Sequence, residues 1–375
     1  MRRTIVVVSL SLLVLVGCGS SSSDQGGNGS PKQTSVPWAS ELTNPVDAGP
    51  THDANNGGAL AVEQSADPSR RVKLDFVDST ADPKRIVAVW SRLAKSDASI
   101  AMLGTYGTTA IVAAPIIQAA KLPVVLDEAG GPGVLTRSKY FYRTTAQQAD
   151  TYRVLADYLA NTNVKKIVQF YDSDVPTTKQ MGEETWPAFA KEHGFDLSRY
   201  PLTVAATDFS TVIRQAINQH PDVMLLTVGG VQNTNLVAAL RNAGYTGLIA
   251  GQNSQLLTGA DKLPNMGGRI LNVTDFTPLL PGKKISDFVT AYRKRFGKDP
   301  SAFAAHGYDA ATFMQEVMKS AGGGSRADVF AAMQRVAKQG FDGLLGHVSF
   351  NGQQAMAPAV IIDWNRGQQS LLSTP

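Results

Sequence analysis

Two short polar loops hold most of the residues that could do chemistry. Gly104-Thr105-Tyr106-Gly107-Thr108-Thr109 offers hydroxyls and, where a helical pattern resumes, free backbone N–H groups, a combination suited to an anion. The same residues could equally do no more than cap the helix. Asp127-Glu128-Ala129-Gly130-Gly131 offers two acids, which could receive a cation or stand as solvated residues at a strand end. For catalysis there is no comparable set. His52, His193, His220, His306 and His347 are scattered, with no H-x-x-x-H pair and no second ligand type at metal spacing. His306 and Asp309, three apart at a helix start, read as a structural pair sharing one face. There is no G-x-S-x-G elbow, and the glycine run at Gly322-Gly323-Gly324 is not followed by the GK[ST] of a phosphate cradle, so neither an enzyme nor a cofactor is expected.

Both loops follow short apolar runs, Ile100 to Leu103 and Pro123 to Leu126, which read as buried strands with a helix between them. That order places both loops on one edge of a parallel sheet, where open α/β folds bind ligands. The series then recurs. A shift of 123 positions lays Ile100 on Val223, Gly107 on Gly230 and Val125 on Leu248, so Gly229 to Gln232 and Gln252-Asn253 answer the first pair of loops. A first strand can start near Val36, with Pro37 at its start or edge, and further strands are predicted at 71–78, 140–143, 166–171, 200–205, 222–228, 247–250, 346–350 and 359–364. Helices are predicted at 55–64, 84–95, 147–160, 179–192, 208–219, 233–242, 285–296, 302–319 and 327–338. Such alternation argues an α/β protein of two Rossmann-like lobes, each a parallel sheet covered by helices.

The N-terminus carries Arg2 and Arg3 before an apolar run to Val16, too short to span a membrane but right for a secretory segment. The run closes with Leu15-Val16-Gly17-Cys18, which resembles the lipobox of bacterial lipoproteins and makes Cys18, the only cysteine, the expected site of lipidation. Residues 18–35, rich in Ser and Gly, read as a flexible tether after a signal peptide at 1–17. The chain is thus expected to be exported and lipid-anchored to the outer face of a bacterial cytoplasmic membrane. Without Arg2 and Arg3, 33 of its 35 basic residues remain against 31 acidic ones, and no basic patch suggests a nucleic-acid partner.

The chain carries, in order, Gly104 to Thr109 with Ala114-Pro115, Leu122-Pro123-Val124-Val125, Phe141-Tyr142-Arg143-Thr144-Thr145, Thr207-Asp208-Phe209-Ser210, Pro221-Asp222-Val223 and Gly307-Tyr308-Asp309-Ala310. By these ordered motifs it resembles the type I periplasmic-binding-protein superfamily, and within it the branched-chain amino acid type of solute-binding proteins of ABC importers. The resemblance implies two lobes joined by three crossovers, near 143–145, 274–276 and 345–347, closing on a small solute that passes to permease subunits. Lobe 1 would hold 36–143 and 276–345, and lobe 2 144–275 and 346–375. It further implies that Tyr106, Gly107, Thr108 and Thr109 bind a ligand carboxylate, with Asp127, Glu128, Ala129, Val175, Gly230, Gln232 and Asn253 as further contacts. At Asn253 amino-acid binders carry an acid for the ligand ammonium. An amide there leaves Asp127 and Glu128 to compensate, or points to a carboxylate or amide solute without an ammonium. A ligand-sensing ectodomain of the same fold is the alternative function.

Overall fold

The computed structural model describes residues 34–44, 48–65, 67, 72–104, 107–131, 133–252, 268–365 and 368–373. Its strands, in chain order, are β1 (Thr34–Ser40), β2 (Val72–Asp78), β3 (Ala101–Leu103), β4 (Val124–Leu126), β5 (Phe141–Arg143), β6 (Lys166–Asp172), β7 (Asp196–Leu202), β8 (Val223–Thr227), β9 (Leu248–Gln252) and β10 (Arg269–Thr274). There follow β11 (Phe341–Gly343), β12 (Gly346–Asn351), β13 (Gln354–Met356), β14 (Val360–Asn365) and β15 (Gln368–Ser373). They form two sheets, ordered β2-β1-β3-β4-β5-β13-β12-β11 and β7-β6-β8-β9-β10-β14-β15. The first five strands of each run parallel. The repeat read from the sequence is therefore a repeat of topology, with β1 to β5 answered strand for strand by β6 to β10.

Each sheet is buried on both faces, which explains why its central strands are continuous apolar runs without polar alternation. Successive residues of a strand point to opposite sides. Met102 and Val125 accordingly pack with the helices Ala302–Ala321 and Arg326–Gln339. Their neighbours Leu103, Val124 and Leu126 pack with the helices Pro83–Lys95 and Gly107–Ala120. Trp90, on the apolar stripe of Pro83–Lys95, is fully buried there. The second lobe divides in the same way, Leu225 and Val273 on one side, Met224 and Leu226 on the other.

Three passages join the sheets: from β5 to the helix Gln148–Ala160, from β10 to the helix Lys283–Phe296, and from β13 to β14. The third corrects the expectation of a crossing at 345–347 and of a second lobe that includes 346–356. The segment there is a hairpin turn, with β11 and β12 antiparallel and Gly343 opposite Gly346, whose φ is +103°. A tight hairpin reverses the chain within one sheet, and a second one joins β12 to β13, so the crossing waits until after Met356. β7 begins four residues earlier than expected and is largely exposed, so its apolar signal is faint; Pro201 suits such an edge strand. The helix expected at 179–192 begins at Pro176 and includes a π-helical turn, Met181–Thr185, just before Pro187. Strands β10, β11, β13 and β15 were not predicted; the last three are short or exposed pieces of hairpin.

Candidate functional site

A cavity of about 220 Å³ opens between the carboxyl ends of the two sheets. Of the residues expected to bind, Gly107, Thr108, Glu128 and Val175 line it. Thr109 does not: its hydroxyl donates to Glu41 and it is buried beneath the loop. Ala129 is also buried, and its carbonyl accepts from Arg143 at 2.6 Å. Asp127 lies behind the wall, fully buried. Gln232 turns its amide to the Thr203 carbonyl, 2.8 Å away, and Gly230 opens the helix Gly230–Asn242. Tyr106, Asn253 and Cys18 lie outside the described residues.

Arg143 and Gln354 shape the loop that carries Glu128. Arg143 ends β5, and besides Ala129 its guanidinium reaches the Gly131 carbonyl and the Gln354 side chain, while the Gln354 amide in turn donates to the Thr145 carbonyl. Burial lowers the Arg143 pKa to about 10, which leaves it charged at neutral pH. Ala129 holds a left-handed φ of 53°, a conformation costly for a residue with a Cβ, and the Arg143 contact at its carbonyl helps to hold it.

The second polar group of the cavity was not read as a site from sequence. His306 stands near the start of the helix Ala302–Ala321, and both of its ring nitrogens face carboxylates. Nδ1 meets Glu128, and Nε2 lies 2.7 and 2.8 Å from the two oxygens of Asp275, the residue directly after β10. Burial by itself would strip the proton from this imidazole. The charges of Asp275 and Glu128, and the hydrogen bonds they accept, override burial and hold the pKa well above the ordinary histidine range. The expected His306–Asp309 pairing gives way to this arrangement, because Asp309 accepts the Leu344 N–H at 2.7 Å on the far side.

The helix reaches this position by close packing on the helix Ala48–Gln64. A Cβ on Gly307 would lie 1.9 Å from the Ala54 carbonyl oxygen, and one on Gly57 would lie 1.8 Å from that of Ala304. Only glycine allows the two backbones this approach. Ser301 caps the helix and donates to Asp53 at 2.7 Å, fixing its first turn beside the cleft.

Register shows a further correspondence. Ala39 pairs with Leu103 and Phe170 with Leu226, so Glu41 and Asp172 occupy equivalent places in the two lobes. Each serves the first turn of a helix: Glu41 accepts from Thr109, and Asp172 accepts the Gly229 N–H at 2.9 Å. Burial, and secondarily Asp174, raises the Asp172 pKa to about 6, against the lowering effect of that bond. In the second lobe the protein's own carboxylate thus occupies the helix terminus, whereas in the first Gly107 and Thr108 face the cavity. Opposite them, Gln148 donates to Gln252. Phe303, Val175 and Ala302 supply apolar wall.

The sequence matches the periplasmic binding protein family over residues 46–369. The chain belongs to that family. Known structures share the fold of this periplasmic binding protein. A leucine-binding protein from Thermotoga maritima has a TM-score of 0.79 at 19% identity, with 91% of this chain and 98% of that one covered. A branched-chain amino acid transporter substrate-binding protein from Streptococcus pneumoniae, in complex with isoleucine, has a TM-score of 0.78 at 19% identity, covering 91% and 99%. A solute-binding protein of an ABC transporter from Rhodopseudomonas palustris, in complex with benzoate, has a TM-score of 0.79 at 17% identity, covering 91% and 95%. No curated protein matches the sequence. Among the described residues no helix is long and apolar enough to cross a membrane.

Proposed function

We propose that this periplasmic binding protein captures a small polar organic solute for an ABC importer, held to the membrane by lipid on Cys18 and releasing its cargo to permease subunits. The observation that carries the choice of solute is the charge of the cleft. Glu128 and Asp275 flank one imidazolium, so the group bears one net negative charge, and among the described lining residues there is no lysine or arginine. A bare carboxylic acid meets repulsion there. A solute with both a carboxylate and a cationic nitrogen, such as an amino acid, could lay the first against the helix start at Gly107-Thr108 and the second against the acids. One of the similar structures holds isoleucine and another benzoate, so both classes belong in the test.

Closure needs no covalent chemistry. The solute must favour the closed state by contacts it makes only there. A melting screen of the purified protein against amino acids, small carboxylates and amides is expected to give a rise in Tm with an amino acid. A screen with no rise from any of these solutes would count against the reading.

A further inference from the structure

We propose that His306 sets the charge of the solute this cleft accepts: wedged between Glu128 and Asp275, it cancels one carboxylate and leaves the other for a single cationic nitrogen. The inference rests on the solute-binding reading and adds to it a specificity residue and a charge rule. Its basis is geometric. A neutral imidazole has one N–H, so one of the two carboxylates would face a ring lone pair; the imidazolium donates to both. The three residues come from the loop after β4, the helix Ala302–Ala321 and the end of β10, so the cluster also spans the two lobes.

The surrounding charged groups leave this count intact. Arg143, behind the Glu128 loop, spends its guanidinium on the carbonyls of Ala129 and Gly131 and on Gln354. Lys284 is bound to the carbonyls of Asp342 and Gly343. Asp309, one turn further along the helix, is turned to Leu344. Asp127 lies fully buried behind the wall, where burial and then the nearby Glu128 and Glu41 charges hold its pKa well above the usual carboxylate range.

Single substitutions give the cleft three charges: one negative in the wild type, two in His306→Gln, none in Glu128→Gln. Calorimetric titration of the full chain with L-leucine, putrescine and benzoate is expected to show the wild type preferring L-leucine. His306→Gln is expected to bind putrescine about tenfold more tightly than the wild type does, and Glu128→Gln to bind L-leucine about tenfold more weakly and to narrow its deficit for benzoate. Raising the pH through the elevated His306 pKa should move the wild type toward the His306→Gln preference. Nitrogen NMR of the His306 ring, which needs no ligand and no variant, should show both nitrogens protonated beyond the ordinary histidine range. A His306 that titrates in that range overturns the proposal, and so does an unchanged order of probe affinities across the folded variants. If His306 stays protonated but neither the probes nor any solute of the screen binds, the solute-binding reading has failed and the charge rule falls with it.

Discussion

Thr108 and Thr109 are adjacent and chemically alike, yet the fold separates their roles. Thr108 faces the cavity, whereas the Thr109 hydroxyl is committed to the buried Glu41. Thr108→Ala is expected to weaken solute binding by about 1 kcal/mol with little change in Tm, because only a ligand contact is lost. Thr109→Ala removes the hydroxyl that donates to the buried Glu41 and is expected to cost about 1 to 3 kcal/mol of stability, read from the denaturant midpoint. Asp172 allows a pH test. Its folded-state pKa, raised to about 6, lies above the unfolded value, so the folded state holds the proton more tightly and stability falls as pH rises from about 4 through 6. Asp172→Asn can still accept from Gly229 and is expected to remove that loss. It should match the wild type near pH 4 and exceed it by about 1 to 2 kcal/mol at pH 8, after allowance for solvent screening. Equal pH profiles for the two proteins would show that Asp172 ionises freely. None of these distinctions is legible in residue type: adjacent threonines at a helix start carry the same signal whichever way each points.

At the scale of elements, the helix Ala302–Ala321 carries His306 into the cleft only because Gly57 and Gly307 let it lie against its neighbour. Gly307→Ala places a methyl on a backbone carbonyl that cannot step aside, and is expected to destabilise by about 3 kcal/mol, at the upper end for overpacking. Because the helix would also shift, the same variant should lower solute affinity, whereas a core change of equal cost remote from the cleft should lower Tm alone. Element identity was largely legible: the strands with two buried faces are apolar runs, and the helices Pro83–Lys95 and Lys283–Phe296 have clear amphipathic stripes. Legibility failed at the exposed edge strand β7 and at the short hairpin strands β11 and β13, where few side chains are buried and the pattern that marks a strand is diluted, and at β10, whose buried run is interrupted by the polar Asn272.

For the whole molecule, the cleft is formed by two sheets of matching topology, and the proposed closure would draw them together. Small-angle scattering is expected to show a smaller radius of gyration with a solute that raises Tm than without it; an unchanged radius would separate binding from closure. The sequence by itself determined the two-lobe α/β plan, the repeat at a shift of 123 positions, and the loops at Gly107-Thr108 and Glu128, since these rest on local periodicity and on spacing along the chain. Only the tertiary structure decided that His306 and Asp275 complete the site and that Thr109, Asp127, Ala129 and Gln232 face away from it. Those outcomes depend on helix approach and strand register among segments far apart in sequence, and such contacts leave no trace in either segment alone. Glu128 shows both sides. Its loop could be read directly, but its charge acquires a role only where a histidine 178 positions away meets it.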